Sequence, residues 1–123
     1  MIIGYGIDIV EIDRLKKAYD RFGPAFLAKI LADEELISMP EILFPWLGGR
    51  FAAKESASKA LGSGFSNGIT ARDFIVRGTP GGRPELVFMD RARELADQLK
   101  VRVIRLSISH EKHYAIAGVI LED

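Results

Sequence analysis

The segment Leu47–Leu61 reads LGGRFAAKESASKAL and contains the strongest helix pattern in the chain. One side of it is built from small apolar residues, namely Ala52, Ala53, Ala57, Ala60 and Leu61. Because the distance between packed elements depends on the side chains at their contact, this segment predicts a helix that lies very close to its neighbour. Gly62 and Gly64 follow at once and predict the end of the helix.

The N-terminal segment Ile2–Val10 alternates in the way a strand does. One of its faces carries Gly4, Gly6 and Asp8, and the other carries Tyr5, Ile7 and Ile9. The two glycines predict open space beside the aspartate. Glycine inside a strand indicates a close approach by a ligand or by another piece of backbone.

A second helix, predicted over Glu11–Phe22, has two distinct stripes. The apolar stripe, which is expected to be buried, consists of Ile12, Leu15, Tyr19 and Phe22. The basic stripe consists of Arg14, Lys17 and Arg21. Gly23-Pro24 predicts the end of this helix.

The remaining patterns predict short helices and two hairpins. Helical segments are predicted over Phe26–Leu31, over Asp33–Ile37 with Asp33 as its cap, and from a cap at Asp90 to Leu99. Strands are predicted over Asp73–Arg77 and Glu85–Phe88, joined around Gly81-Gly82, and over Val101–Ser109 and Tyr114–Leu121. This order predicts one domain over residues 1–123 of the α+β class, with a largely antiparallel sheet packed against helices.

Composition narrows the range of functions. Seventeen basic residues balance seventeen acidic ones, which argues against a general nucleic-acid binder. The absence of cysteine excludes disulfides, thiolate metal sites and a cysteine nucleophile. No apolar run approaches the ~20 residues that a membrane span needs, and Met1–Glu11 lacks the pattern of a signal peptide. We therefore expect a cytoplasmic protein with neither nucleic acid nor membrane as a partner.

Three segments contain side chains suited to chemistry on phosphates. Asp8 lies on a strand face bordered by glycines, and its carboxylate suits Mg²⁺, which prefers oxygen ligands. Glu55 and Lys59 lie four residues apart, so they share one side of the predicted helix and could add a second carboxylate and a cation for phosphate. His110 lies at a strand end, where polar groups can reach a ligand. The simpler alternatives are a solvated aspartate, a surface ion pair and an edge histidine.

Several other catalytic arrangements are excluded. Ser109 and His110 are adjacent in a strand and point to opposite faces, so they cannot pair directly. The chain has no Gly-x-Ser-x-Gly elbow, no phosphate-binding loop with its lysine, and no His-Glu-x-x-His zinc motif.

Taken together, three stretches resemble the holo-acyl-carrier-protein synthase family of phosphopantetheinyl transferases. The matching residues are Gly6–Ile12 with Arg14, Gly49–Glu55 with Lys59–Gly62, and Ser107–His110 with Tyr114-Ala115. The resemblance implies transfer of the 4′-phosphopantetheine group from coenzyme A to a serine of an apo acyl carrier protein. It also implies release of 3′,5′-ADP, a place in fatty acid biosynthesis, and a homotrimer with active sites between subunits.

The resemblance also implies roles for individual residues. Asp8 and Glu55 are the expected Mg²⁺ ligands, and together with Lys59, which contacts the phosphates, they form the expected catalytic group. Arg50 and His110 are expected to hold the 3′-phosphate end of coenzyme A. Arg14 is expected to dock the carrier protein, and helical spacing adds Lys17 and Arg21. Two-domain relatives have a further carboxylate at the position of Val10, so water or another group must complete the metal's coordination here.

Two other functions are compatible with these residues. One is a coenzyme-binding module that senses coenzyme A without catalysis. The other is a Mg²⁺-dependent phosphotransferase acting on a small molecule. The carboxylate pair argues against the first, and the missing phosphate-binding loop argues against the second.

Overall fold

Five strands and five α-helices make up the fold in a computed structural model that describes all residues 1–123. In chain order they are β1 Ile2–Glu11, α1 Ile12–Phe22, α2 Pro24–Ile30, α3 Asp33–Ile37, α4 Leu43–Leu61, a 3₁₀ turn Ala71–Asp73, β2 Phe74–Arg77, β3 Glu85–Phe88, α5 Asp90–Gln98, β4 Val103–His110 and β5 Tyr114–Glu122. No helix has both the length and the apolar composition needed to cross a lipid bilayer.

All strand pairs are antiparallel. One sheet has the order β1-β5-β4, and the hairpin of β2 and β3 forms a second sheet. In the first sheet Ala117 of the central strand pairs with Asp8 on one side and with Ile108 on the other. The predicted α+β class with a largely antiparallel sheet is therefore confirmed.

Helix α4 lies directly on β1, with almost no space between the two backbones. A Cβ atom added to Gly4 would lie 2.2 Å from the Ala60 carbonyl oxygen, and one added to Gly6 would lie 2.1 Å from that of Ser56. The Ser56 hydroxyl also donates a 2.8 Å hydrogen bond to the Ala117 carbonyl. The prediction of open space over the glycines is therefore wrong: the helix backbone fills it, which is one of the two close approaches that such glycines indicate.

The bounds of α4 differ from the prediction at the N-terminal end. The helix begins at Leu43 rather than at Leu47, so Pro45 lies within its first turn. Proline is tolerated there because the first N–H groups of a helix have no intrahelical partner. The predicted start at Leu47 therefore lies four residues too late.

Other local predictions also need correction. Phe22 was expected in the buried stripe of α1 but is 59% exposed, because it is the last residue of the helix and lies against the Arg21 guanidinium. Asp33 and Asp90 are the first helical residues of α3 and α5 rather than their caps. At α3 the side chain of Glu35 instead accepts the Ala32 N–H at 3.0 Å.

A fully buried ammonium group ties four elements together. Lys54 of α4 donates hydrogen bonds to Glu35 Oε1 at 2.6 Å, to the Ala71 carbonyl at 3.0 Å and to the Phe74 carbonyl. The other Glu35 oxygen accepts the Val76 N–H at 3.1 Å. Burial lowers the pKa of Lys54 and the Glu35 carboxylate opposes that change. The pair therefore joins α4, α3, the 3₁₀ turn and β2 through groups that are all satisfied.

We expect the substitution Lys54→Met to destabilise the protein by roughly 3–5 kcal/mol, because it leaves the Glu35 carboxylate buried without its cation. Urea denaturation measures this loss. Lys29→Met, which changes an exposed lysine on α2, serves as the matched control and should stay within about 0.5 kcal/mol of the parent protein. If Lys54→Met were as stable as that control, the buried pair would not support the fold.

Candidate functional site

Asp8, Glu55 and Lys59 come together where β1 packs against α4. The Lys59 ammonium donates to Asp8 Oδ1 at 2.8 Å and to the Ile7 carbonyl at 3.2 Å. The Asp8 side chain is 18% exposed, whereas that of Lys59 is 52% exposed. Glu55 is half-buried one helical turn before Lys59. Because Gly4 and Gly6 bring α4 onto β1, these three side chains meet at the edge of the sheet.

The charges in this group are coupled. Burial raises the pKa of Glu55, the neighbouring Asp8 carboxylate raises it further, and Lys59 opposes both effects. The hydrogen bond to Asp8 is the main cause that raises the pKa of Lys59. Two carboxylates facing one ammonium leave a local excess of negative charge, which favours the binding of a cation.

This donor set fits Mg²⁺ that is shared with a phosphate ligand. No group of three or more His, Cys, Asp or Glu side chains is arranged to hold a metal ion. Mg²⁺ typically takes one or two carboxylates and completes its shell with waters and substrate phosphates. The side chain of Val10, two residues after Asp8, is buried in the core and has no oxygen to offer a metal.

Arg50 and His110 line a second feature, an open cleft of about 420 Å³. The other residues that line it are Ile42, Pro45, Trp46, Gly49, Gly78, Gly82, Pro84 and Ile108. Sequence reasoning expected Arg50 and His110 to act together and the structure places them in the same cleft. It missed Trp46, because the predicted helix began one residue after it, and it missed the glycines and proline of the β2–β3 hairpin.

The two groups lie on opposite flanks of α4. Arg50 and Glu55 are five positions apart on the helix, which separates them by about 140° around its axis. Asp8 belongs to the edge strand β1 and His110 to the opposite edge strand β4, with β5 between them. Within one chain, therefore, the carboxylate group and the cleft face different directions.

The predicted basic stripe of α1 is exposed along its length. Arg14, Lys17 and Arg21 all face solvent, and only Lys17 has an intrahelical partner, Asp13, at 3.1 Å. The exposed ring of Phe22 lies at the C-terminal end of α1, and its centre is 5.1 Å from the Arg21 guanidinium carbon. This surface, which we call the basic α1 surface, therefore offers positive charge beside one aromatic ring.

The face of the sheet opposite α4 is uncovered. Tyr5, Ile7 and Ile9 are 75%, 59% and 63% exposed, and Ile116 and Ile120 on β5 lie opposite Ile9 and Tyr5 in the register. Exposed apolar patches of this kind are typical of surfaces that bind proteins, membranes or apolar ligands. The alternation along β1 showed two faces, but only the position of α4 reveals which of them stays open.

Comparison with known proteins adds the family. A family model described as the 4′-phosphopantetheinyl transferase superfamily matches residues 4–117. A protein named holo-(acyl-carrier-protein) synthase from Vibrio cholerae serotype O1 is 49% identical over 124 residues, covering 99% of this chain and 98% of the relative.

Two solved structures share the fold at high similarity. The holo-(acyl-carrier-protein) synthase of Neisseria meningitidis has a TM-score of 0.93 and 32% identity, with 100% of both chains covered. That of Bacillus anthracis, solved in complex with CoA (3′,5′-ADP), has a TM-score of 0.81 and 35% identity over 98% of this chain and 96% of its own. The match extends over nearly the whole chain, and this chain belongs to the 4′-phosphopantetheinyl transferase superfamily.

Proposed function

We propose that the protein transfers the 4′-phosphopantetheine group of coenzyme A to a serine of an apo acyl carrier protein and releases 3′,5′-ADP, in a Mg²⁺-dependent reaction that serves fatty acid biosynthesis. The observation that carries the proposal is the group formed by Asp8, Glu55 and Lys59 at the contact of β1 and α4. The names of the relatives and the coenzyme A complex of the Bacillus anthracis protein support it.

Each residue of this group has a role in the proposed reaction. Asp8 and Glu55 hold Mg²⁺, which when bound screens the negative charge of the coenzyme A diphosphate. The Lys59 ammonium, half-exposed beside Asp8, turns to the phosphate oxygens and adds a second positive charge. Glu55 accepts the proton of the attacking serine, directly or through a water.

The cleft completes the coenzyme site from another copy of the chain. Arg50 and His110 bind the 3′-phosphate end of coenzyme A. Within one chain, the cleft and the carboxylate group lie on opposite flanks of α4 and face different directions. A single coenzyme is therefore held by the cleft of one copy and the carboxylates of the next. Head-to-tail contacts form a closed ring when the rotation between copies closes, and we propose that they do so here in a homotrimer that buries the open sheet face around Tyr5, Ile7 and Ile9.

The carrier protein docks on the basic α1 surface. Arg14, Lys17 and Arg21 provide local positive charge although the whole chain has none in net. Complementary charge of this kind mainly speeds encounter and orients the partner. An acidic carrier protein is therefore the partner that this surface fits.

The first test is the mass of an apo acyl carrier protein after incubation with the protein, coenzyme A and Mg²⁺. We expect a gain of one phosphopantetheinyl group that disappears with EDTA.

Glu55→Gln should fold normally and lose roughly 10²-fold or more in turnover, because it removes both a metal ligand and the proton acceptor. Glu94→Gln, on an exposed face of α5, is the matched control and should retain activity. Turnover of Glu55→Gln close to the parent value would exclude these roles for Glu55.

The shared site is tested by mixing two variants. Glu55→Gln and Arg50→Ala should each be nearly inactive alone. When the two chains are co-expressed in equal amounts, about one quarter of the sites combine an intact carboxylate group with an intact cleft, so roughly a quarter of the parent activity should return. If each site lies within one chain, mixing restores nothing.

Docking is tested by charge reversal on α1. Arg14→Glu should raise the KM for the carrier protein several-fold and leave the KM for coenzyme A unchanged, with a smaller difference at high salt, which screens exposed charges. The matched control is Arg93→Glu, which changes an exposed arginine of α5. If Arg14→Glu raised both KM values equally, the substitution would act through a general disturbance of the fold, and Arg14 would have no specific role in docking.

A further inference from the structure

Trp46 and Arg50 form a contact that the catalytic scheme above does not use. They lie four residues apart on α4 and therefore share one side of the helix. The guanidinium carbon of Arg50 lies 4.4 Å from the centre of the Trp46 ring, within the range of a cation–π interaction. Tryptophan is the strongest ring partner for a cation, and Trp46 is the sole tryptophan of the chain.

No acidic group holds Arg50. The salt bridges of the chain do not include it, and its Nε atom is buried without a hydrogen-bond partner. Glu35 is the acid whose charge acts on Arg50, but that carboxylate is already bound to Lys54. Partial burial accordingly lowers the pKa of Arg50. The ring of Trp46 is thus the main partner that the protein gives to this cation.

The same ring lines the cleft beside the guanidinium. Trp46, Arg50 and His110 all border the cavity of about 420 Å³. An arginine side chain has several rotatable bonds, so holding it in one geometry costs conformational entropy. A flat ring fixed on the preceding turn reduces that freedom, and it leaves the N–H donors at the guanidinium's rim available for an anion.

We propose that Trp46 is a positioning residue that holds the Arg50 guanidinium in the cleft, so that the protein selects ligands with a 3′-phosphate over those without it. The proposal rests on the proposed function, because it takes the cleft to be the site for the 3′-phosphate end of coenzyme A. It adds that the discrimination between coenzyme A and dephospho-coenzyme A depends on the ring face of Trp46.

The experiment is calorimetric titration of the whole protein with 3′,5′-ADP and with 5′-AMP, which differ only in the 3′-phosphate. Trp46→Leu should lower the affinity for 3′,5′-ADP roughly tenfold and change the affinity for 5′-AMP by less than about twofold, because the lost contact acts only through Arg50. Trp46→Phe retains a ring face and should recover most of the affinity for 3′,5′-ADP. In the Arg50→Ala background, Trp46→Leu should cause no further loss for 3′,5′-ADP.

Phe44→Leu is the matched control, since Phe44 lies on the same helix but packs edge-on against Tyr19 of α1 at 5.7 Å, away from the cleft. It should leave the affinities for both nucleotides unchanged. An equal loss of affinity for both nucleotides in Trp46→Leu would overturn the proposal, because the ring would then act on the adenine base itself. Unchanged affinity for 3′,5′-ADP in that variant would also overturn it.

The result separates this proposal from the function itself. Transfer to the carrier protein is read independently as a gain in carrier mass. If the parent protein transfers the group but binds 3′,5′-ADP and 5′-AMP equally, the role of Trp46 is wrong and the function stands. A second outcome combines three results: the parent protein prefers 3′,5′-ADP, this preference is lost in Trp46→Leu, and no group is transferred to the carrier protein. In that case the role of the cleft is as proposed and the proposed reaction is wrong. The KM values for coenzyme A and dephospho-coenzyme A should show the same split, with Trp46→Leu raising only the first.

Discussion

The contact between the backbones of α4 and β1 is the constraint on which the rest of the structure depends. It exists because Gly4 and Gly6 have no side chains; any Cβ atom there would overlap a carbonyl oxygen of the helix. Close packing of this kind leaves little freedom for sliding or rotation, since interiors are as dense as organic crystals. The direction of every side chain on α4 follows from it. Glu55 and Lys59 therefore meet Asp8 at the sheet edge, whereas Arg50 faces the other flank.

The buried pair of Lys54 and Glu35 fixes the second side of the helix. A desolvated ion pair is not a strong source of stability in itself, because removing both charges from water costs nearly as much as their attraction returns. Its effect here is geometric, since its hydrogen bonds end on the backbone of the 3₁₀ turn and of β2 as well as on α3. The hairpin that borders the cleft is thereby held in a defined position relative to Arg50.

Division of the candidate site between two flanks of one helix has a consequence for how the proposed activity depends on assembly. The candidate site is built mainly on the three-stranded sheet and on the one long helix α4, and its two groups point apart. Under the proposed function, neither group is sufficient without a second copy. The open apolar sheet face then has a role as well, because the proposed homotrimer buries it.

Much of the fold and part of the site could be predicted from local patterns. Periods of two and of 3.6 residues located the elements to within a few positions, and the four-residue spacing of Glu55 and Lys59 placed both on one side of α4. Locating the start of α4 failed because proline is compatible with a first helical turn, and Trp46 was missed with it. Sequence by itself determined the α+β class and the residue types available for chemistry, because periodicity and composition are local properties. Tertiary structure alone decided that Lys54 is buried, that the glycine face of β1 receives the helix, and that Arg50 and His110 line one cleft, because these depend on contacts between residues far apart along the chain.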